Sequence, residues 1–411
     1  MREIKKKQLE FLDWELGVFF HFGMRTFYDR GYDEDFNREH MPIEGFLPTE
    51  LDCEQWVRTA KEGGAKYAIF VCNHPDGFAT WPSAYTDYSV ANAPWKDGNG
   101  DVVKEFTDAC RKYDMKIGLY YGPTPFMLKD AKEEEIDDYF IAQISELMSN
   151  YGEIDYLWLD GCGCENHKYD IDRIVKAIRA LQPNILFFNM WDPDTRWPGN
   201  EAGLVQVPNF NVVSDVDFSI QTKQKDVLKE ETFLPAECDC RIRLVKWFYS
   251  EHDADTLKSV DELLGLYYYS VGRGANLLLN IAPDRRGLLP EKDAARFIEF
   301  GKRVQEMFAN SLAGMEQTSR EENTYTVDLG EHTLVNHVVL QEVLEDGNHI
   351  EKFSVYIYPY PYGERVLVYQ GTTVGHKQIC HFPTIRTPKI DIVIEKERGS
   401  HTMKDINVYY C

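Results

Sequence analysis

The chain has 411 residues, enough for two domains and for a large core that needs no disulfide or metal staple. Hydrophobic residues make up 43%, aromatics 13% and charged residues 27%, a balance that excludes a disordered chain. A net charge of −23 repels phosphate backbones and anionic bilayers, so neither nucleic acid nor a membrane surface is expected as a partner.

The N-terminus, MREIKKKQLEFLDWELG, starts basic but has no apolar signal-peptide core, and no later run approaches the roughly 20 apolar residues of a membrane span. Nine cysteines, an odd number, point to reduced thiols and a cytoplasmic setting. A periplasmic or secreted protein whose leader has been removed is the alternative. The sequence carries no signal of oligomeric state.

Short apolar runs then alternate with helical patterns. The predicted strands are Gly17–Phe22, Tyr67–Cys72, Lys116–Tyr121, Tyr156–Asp160, Ile185–Met190, Thr232–Glu237 and Asn276–Ile281, most of them apolar on both faces as parallel strands are. Thr49 is placed to cap a helix from Glu50, with Asp52 in a capping-box position and Gly63-Gly64 ending it. Val102, Val103, Phe106 and Cys110 form a helical stripe, and the spans Ile136–Tyr151 and Ile171–Leu181 behave alike. This alternation predicts an α/β fold, a (β/α)8 TIM barrel over residues 1–314, with the eighth strand near Val212–Phe218. A doubly wound sheet is the runner-up. From 315 to 411 the texture becomes short β-rich runs, Thr324–Leu329, Asn336–Leu340, Lys352–Ile357, Arg365–Tyr369, Lys389–Ile394 and Asp405–Tyr410, which predict an antiparallel β-sandwich.

In a barrel the chemistry sits at the C-terminal strand ends. There the sequence places His21, Asn73-His74, Tyr121, Asp160, Asn189, then Glu237 followed by Asp239 and Arg241, and Asn280. Aromatic walls with a few polar groups suit a sugar, and two carboxylates on different strands suit glycoside hydrolysis, which requires no cofactor. Asp160 follows Tyr156-Leu157-Trp158-Leu159, where a carboxylate is expensive unless solvated or paired. It reads as a nucleophile or base, against the plainer role of capping the next loop.

At these same residues a resemblance becomes sharp. From Trp14 to about Lys302 the chain resembles glycoside hydrolase family 29, the retaining α-L-fucosidases. The matching elements, in order, are LGVFFHFG, AKYAIFVCNHPDGFATWPSAYTDYSV, GDVVKEF, KIGLYYGP, YGEIDYLWLDG, RWPGNEAG, LPAECDCRIR with Trp247-Phe248-Tyr249, and SVGRGANLLLNIAPDRRG. The C-terminal part resembles discoidin-like, carbohydrate-binding modules. The resemblance implies a fucosylated glycan as substrate and Asp160 as the nucleophile. It implies His21 and His74 as partners of sugar hydroxyls, with Trp81, Tyr121, Trp197, Arg241 and Trp247 around the pocket. Aromatics at such positions are otherwise core fillers.

Two residues stand as the acid/base. Glu201 lies in RWPGNEAG, a loop similar to that of the branch acting on α-1,3/1,4-linked fucose; Glu237 lies in LPAE. Glu201 is favoured; a salt bridge, Glu201 to Arg196 or Glu237 to Arg241 or Arg243, is the alternative for either. The working acid is expected to carry a raised pKa from burial beside Trp197 or Trp247. Two departures bear on the sugar. Pro75 stands where the family has a second histidine, and Gly31-Tyr32 where it has Glu-Trp, with Asp33, Glu34 and Asp35 nearby as replacements. They open an altered glycone such as L-galactose, or a binding protein without turnover.

The remaining signals are plainer. Cys162, Cys164 and His167 lack a second ligand pair for zinc, so no metal is expected. Cys238 and Cys240 read as buried small residues, Gly272-Arg273-Gly274 is no phosphate loop, and Glu133–Asp138 reads as a solvated helix face.

Overall fold

The structure is a computed structural model and describes residues 2–29, 39–125, 128, 131–164, 167–218, 224–359 and 363–411. Its first part is built on β1 (Leu16–Phe20), β2 (Tyr67–Asn73), β3 (Lys116–Tyr121), β4 (Tyr156–Leu159) and β5 (Leu186–Phe188). A hairpin, β6 (Val212–Asp217) and β7 (Lys225–Phe233), comes next, followed by β8 (Glu237–Arg241) and β9 (Asn276–Asn280). Helices α1 (Lys6–Leu12) to α8 (Glu291–Phe308) surround them: α2 (Met24–Tyr28), α3 (Cys53–Glu62), α4 (Val102–Lys112), α5 (Glu133–Asn150), α6 (Ile171–Leu181) and α7 (Val260–Tyr269). The parallel sheet has seven strands in the order β5-β4-β3-β2-β1-β9-β8.

Among the described residues this sheet is one strand short of the expected eight-stranded barrel. The run at Val212–Phe218 pairs, among the described residues, with β7, antiparallel and outside the main sheet. Between the sheet's edges stand single parallel bridges at Thr195 and Arg196, to Phe188 and Ala236. Two residues suffice because Arg196 N–H donates to Pro235 (2.9 Å) while its carbonyl accepts from Glu237 N–H (3.0 Å). The curled sheet thus has a filled interior. Alternate residues point inward: Phe19, Tyr67, Ile69, Tyr120, Tyr156, Trp158, Leu186, Phe188 and Leu278 form one buried cluster, while Phe20, Phe70, Leu119, Leu157, Phe187 and Leu279 join the core under the helices. Gly17 makes the lower layer possible, since a Cβ there would fall 2.3 Å from the Tyr67 ring.

Helix α3 starts one turn later than expected. Its cap is Asp52, whose carboxylate accepts from Gln55 N–H at 2.9 Å, rather than Thr49. The acidic run 133–138 is not a uniformly solvated face: Asp137 is buried and pairs with His167 at 2.9 Å.

The C-terminal part is a six-stranded antiparallel sheet of β10 (Thr318–Glu321), β11 (Thr324–Glu342), β12 (Ile350–Ile357), β13 (Val366–Gly371), β14 (Gln378–Glu397) and β15 (Met403–Tyr409). β11 absorbs two expected strands, and its pairing with β14 shifts register between Asp328 and Thr333 and again between Val335 and His337. One buried cluster including Val327, Val338, Phe353, Ile392 and Ile406 lies within it. It is joined to the first part by Ile379 N–H to the Gly272 carbonyl (2.9 Å), Tyr268 hydroxyl to His337 (2.5 Å) and the Lys377–Glu15 ion pair.

Candidate active site

Asp160 follows β4 immediately, so the pleat that turns Tyr156 and Trp158 inward turns it inward too. Both of its oxygens are held. The Tyr120 hydroxyl donates to Oδ2 at 2.6 Å and the Cys162 N–H donates to Oδ1 at 2.8 Å. Phe218, just past β6, packs over the next residue: a Cβ on Gly161 would meet its ring at 2.9 Å.

His21 continues the inward face of β1 and is buried. Asn280 Nδ2 donates to the Trp247 carbonyl (2.8 Å), which leaves Asn280 Oδ1 to accept from His21 Nδ1–H at 2.7 Å. That fixes the tautomer and leaves Nε2 as an acceptor. Burial first, with the guanidinium charges of Arg241 and Arg25 adding to it against the Asn280 bond, lowers the His21 pKa to about 3, so the ring is neutral. His74 stacks near Tyr120 (6.0 Å) and edge-on to Phe248 (5.1 Å), and burial with Arg25 also holds it neutral. Trp247 lies 5.0 Å from His21. The result is an aromatic enclosure with neutral hydrogen-bonding groups at its wall.

Glu201 rides on the loop after Trp197. Its carboxylate accepts from Trp247 Nε1–H at 3.3 Å and lies 3.7 Å from Arg241, whose guanidinium stacks 5.0 Å over Trp247. Its salt partner is thus Arg241, not Arg196, which bonds Asn209 at 2.6 Å. Burial is the main cause of a raised Glu201 pKa; Arg241 opposes it and the charge of Asp160 adds to it. The two carboxylates therefore sense each other. The loop leaves β5 through Asn189 at φ +54°, a left-handed position that asparagine tolerates, and its side chain ties Trp197 N–H (2.9 Å) to the Asp217 carbonyl (2.7 Å).

Glu237 sits elsewhere. It opens β8 instead of closing a strand, because Leu234-Pro235-Ala236 only connects β7 to β8. Its carboxyl is completely buried and takes Tyr67 OH (2.6 Å), Trp158 Nε1–H (2.9 Å) and Tyr156 OH (3.3 Å). Burial raises its pKa to about 7 against these three donors. It is sealed at the floor of the sheet. The expected partners Arg241 and Arg243 are also elsewhere, Arg243 being bonded to Asp253 and Asp293.

Two expected pocket residues face away. Tyr121 shares the outward face of Ile117 and Leu119, is 1% exposed, and donates to Gln143 of α5 at 2.7 Å. Trp81 is equally buried in the core under the helices and donates to Glu146 at 2.9 Å. Tyr120, which sequence reasoning passed over, is the tyrosine at Asp160; counting alternate positions from the apolar Ile117 and Leu119 finds it. Tyr32, with Gly31, Asp33, Glu34 and Asp35, lies outside the described residues. Trp197 lines the interior, 8% exposed, its N–H turned inward to Asp239. Cys238 and Cys240 are buried on the opposite side of β8 from Asp239.

Residues 2–307 match the family Alpha-L-fucosidase. Among relatives, Alpha-L-fucosidase 1 of Arabidopsis thaliana is 31% identical over 97% of this chain and 86% of its own length. A glycoside hydrolase 29 family member from an unknown rumen bacterium superposes with TM-score 0.87 at 32% identity, covering 98% of this chain and 76% of that one. A Ruminococcus gnavus family 29 fucosidase in complex with fucose superposes with TM-score 0.83 at 26% identity, covering 98% and 94%. Paired carboxylates in an aromatic enclosure, on a curled parallel sheet shared with these proteins, agree with the sequence match: the chain belongs to the alpha-L-fucosidase family and is a glycoside hydrolase.

Proposed function

We propose that this protein is an exo-acting, retaining α-L-fucosidase with Asp160 as nucleophile and Glu201 as acid/base. The observation that carries this is the pair itself: Asp160 is held at both oxygens, and Glu201 is half-closed with a raised pKa that Asp160 helps to set. Asp160 attacks the anomeric carbon as Glu201 gives its proton to the departing oxygen, which leaves a glycosyl ester on Asp160. Glu201, now ionised, takes a proton from water, whose oxygen displaces Asp160 and frees the sugar with retained configuration. His21 and His74, both neutral, bond ring hydroxyls, and Trp247 covers an apolar sugar face. The RWPGNEAG loop supports α-1,3/1,4-linked fucose in branched glycans as the substrate. The relative solved with fucose supports the glycone. Residues 315–411 are read as an appended module of the discoidin type.

Aryl α-L-fucoside, aryl α-L-galactoside and a fucosylated branched trisaccharide, assayed side by side with the first anomer followed by proton NMR, test this reading. Release of α-L-fucose, fastest from the trisaccharide, is the expected result. Turnover of the galactoside alone keeps the mechanism and assigns Pro75 and the Gly31-Tyr32 stretch to glycone choice. Silence from folded protein on all three overturns the reading in favour of sugar binding without turnover.

A further inference from the structure

We infer that Asp239 is a positioning residue for Glu201, fixing with its carboxylate and its own main chain the loop that carries the acid/base. This rests on the assignment of Glu201 above. Asp239 lies in the middle of β8, 3% exposed. Its Oδ1 accepts from Trp197 Nε1–H at 2.8 Å, and its carbonyl accepts from Gly203 N–H at 3.1 Å. Glu201 stands between these two anchors, four residues after one and two before the other. Within the loop, Asn200 Oδ1 accepts from Ala202 N–H (3.0 Å) and its Nδ2 donates to the Leu204 carbonyl (3.1 Å). Gly203 has φ +75°, and a Cβ there would stand 2.6 Å from Cys240 Sγ, so the loop is seated directly on β8.

A carboxyl in this interior is an expensive way to fill space; an aliphatic residue costs nothing in desolvation. What Asp239 supplies is an acceptor for an indole N–H that would otherwise be buried unpaired. Burial, with Glu201 adding to it, pushes the Asp239 carboxyl well above the usual range, so a neutral amide is a close mimic. Asparagine keeps the acceptor; alanine removes it and leaves a void under Trp197.

The test compares kcat/KM on 2,4-dinitrophenyl α-L-fucoside, whose leaving group departs unprotonated, with that on a fucosylated trisaccharide, whose leaving group needs the proton. Glu201→Gln is the reference and should lose far more on the trisaccharide. Asp239→Ala should show the same signature, losing about 10²-fold on the trisaccharide, the scale of a misplaced catalytic group, and little on the activated substrate. Asp239→Asn should restore most of the trisaccharide activity. Equal losses on both substrates for Asp239→Ala, or an unchanged ratio, overturn the inference. If Glu201→Gln itself shows no leaving-group signature, the acid/base assignment fails instead. Thermal unfolding and near-UV circular dichroism check that each variant folds. Should Asp239→Ala fail to fold, Trp197→Phe, which removes only the N–H and its ring, carries the same two outcomes.

Discussion

Two of the carboxyl groups inside the curled sheet stand at different heights, and their surroundings differ accordingly. Glu237 at the floor and Asp160 at the rim each accept a tyrosine hydroxyl at 2.6 Å, from Tyr67 and Tyr120. Trp158 links the two layers: it bonds Glu237 and stacks on Tyr120, the tyrosine that donates to Asp160. The floor is closed: the donors to the Glu237 carboxyl are three aromatic side chains and its exposure is zero. The rim is open, and there Glu201, on a loop and not a strand, is raised in pKa while still in reach of solvent. A buried carboxyl with a shifted pKa is thus a poor indicator of catalysis by itself; Glu201 combines the shift with access to solvent, and Glu237 does not.

That contrast can be broken in several places. The largest effect is expected from Asp160→Asn, which should lower kcat by at least about 10³-fold with unfolding unchanged. Near-normal turnover of a trisaccharide by this variant would remove the rim from the mechanism. Next come the two tyrosines. Tyr120→Phe removes a donor to the proposed nucleophile, worth about 1.5–3 kcal/mol if the carboxylate attacks as an anion, and should cost roughly 10–100-fold in rate. Tyr67→Phe, the same edit at the floor, should cost about 1–3 kcal/mol in chemical denaturation and leave kcat/KM near wild type. A rate loss for Tyr67→Phe would join the floor to the chemistry.

The pH dependence of stability separates the layers further. Glu237 titrates near 7 in the folded protein against 4.5 as its ordinary value, so the folded state holds its proton more tightly than the unfolded one. Its contribution is fully present below about 4.5 and is lost as pH rises to about 7, a change on the order of 3 kcal/mol. The difference in denaturation midpoint between wild type and Glu237→Gln isolates this group and should shift in that direction, by up to that amount, between the two ends of the range. The smallest effect is expected from Trp81→Phe. It forfeits one bond to Glu146, about 1 kcal/mol, and should leave KM unchanged because Trp81 faces the helices.

Much of this was legible in the residues. Apolar runs with buried faces located six strands of the parallel sheet, and the place of Asp160 at the end of one is legible from the YLWL before it. Where the reading slipped, period and connection were at fault. The two tyrosines Tyr120 and Tyr121 are indistinguishable by type, and a one-residue shift exchanges interior for exterior. Thr232–Glu237 is apolar enough to pass for a strand, yet Pro235 stands in the connection between two of them, which placed Glu237 at the wrong end. The bridge at Thr195-Arg196 is two residues long and has no periodicity to detect. Trp81 obeys the plainer rule that a large aromatic fills core. β11 reads as two strands because the exposed Gly330-Glu331-His332 inside it looks like a turn.

The central claim is that Glu201, not Glu237, exchanges protons with the substrate. Its most direct test is Glu201→Gln and Glu237→Gln turning over 2,4-dinitrophenyl α-L-fucoside with added azide, the product read by NMR. With the base gone, azide needs no deprotonation and captures the glycosyl ester on Asp160 in place of water. Glu201→Gln should therefore be accelerated by azide and yield α-L-fucosyl azide, while Glu237→Gln yields fucose as the wild type does. The azide adduct appearing with Glu237→Gln and not with Glu201→Gln would contradict the account.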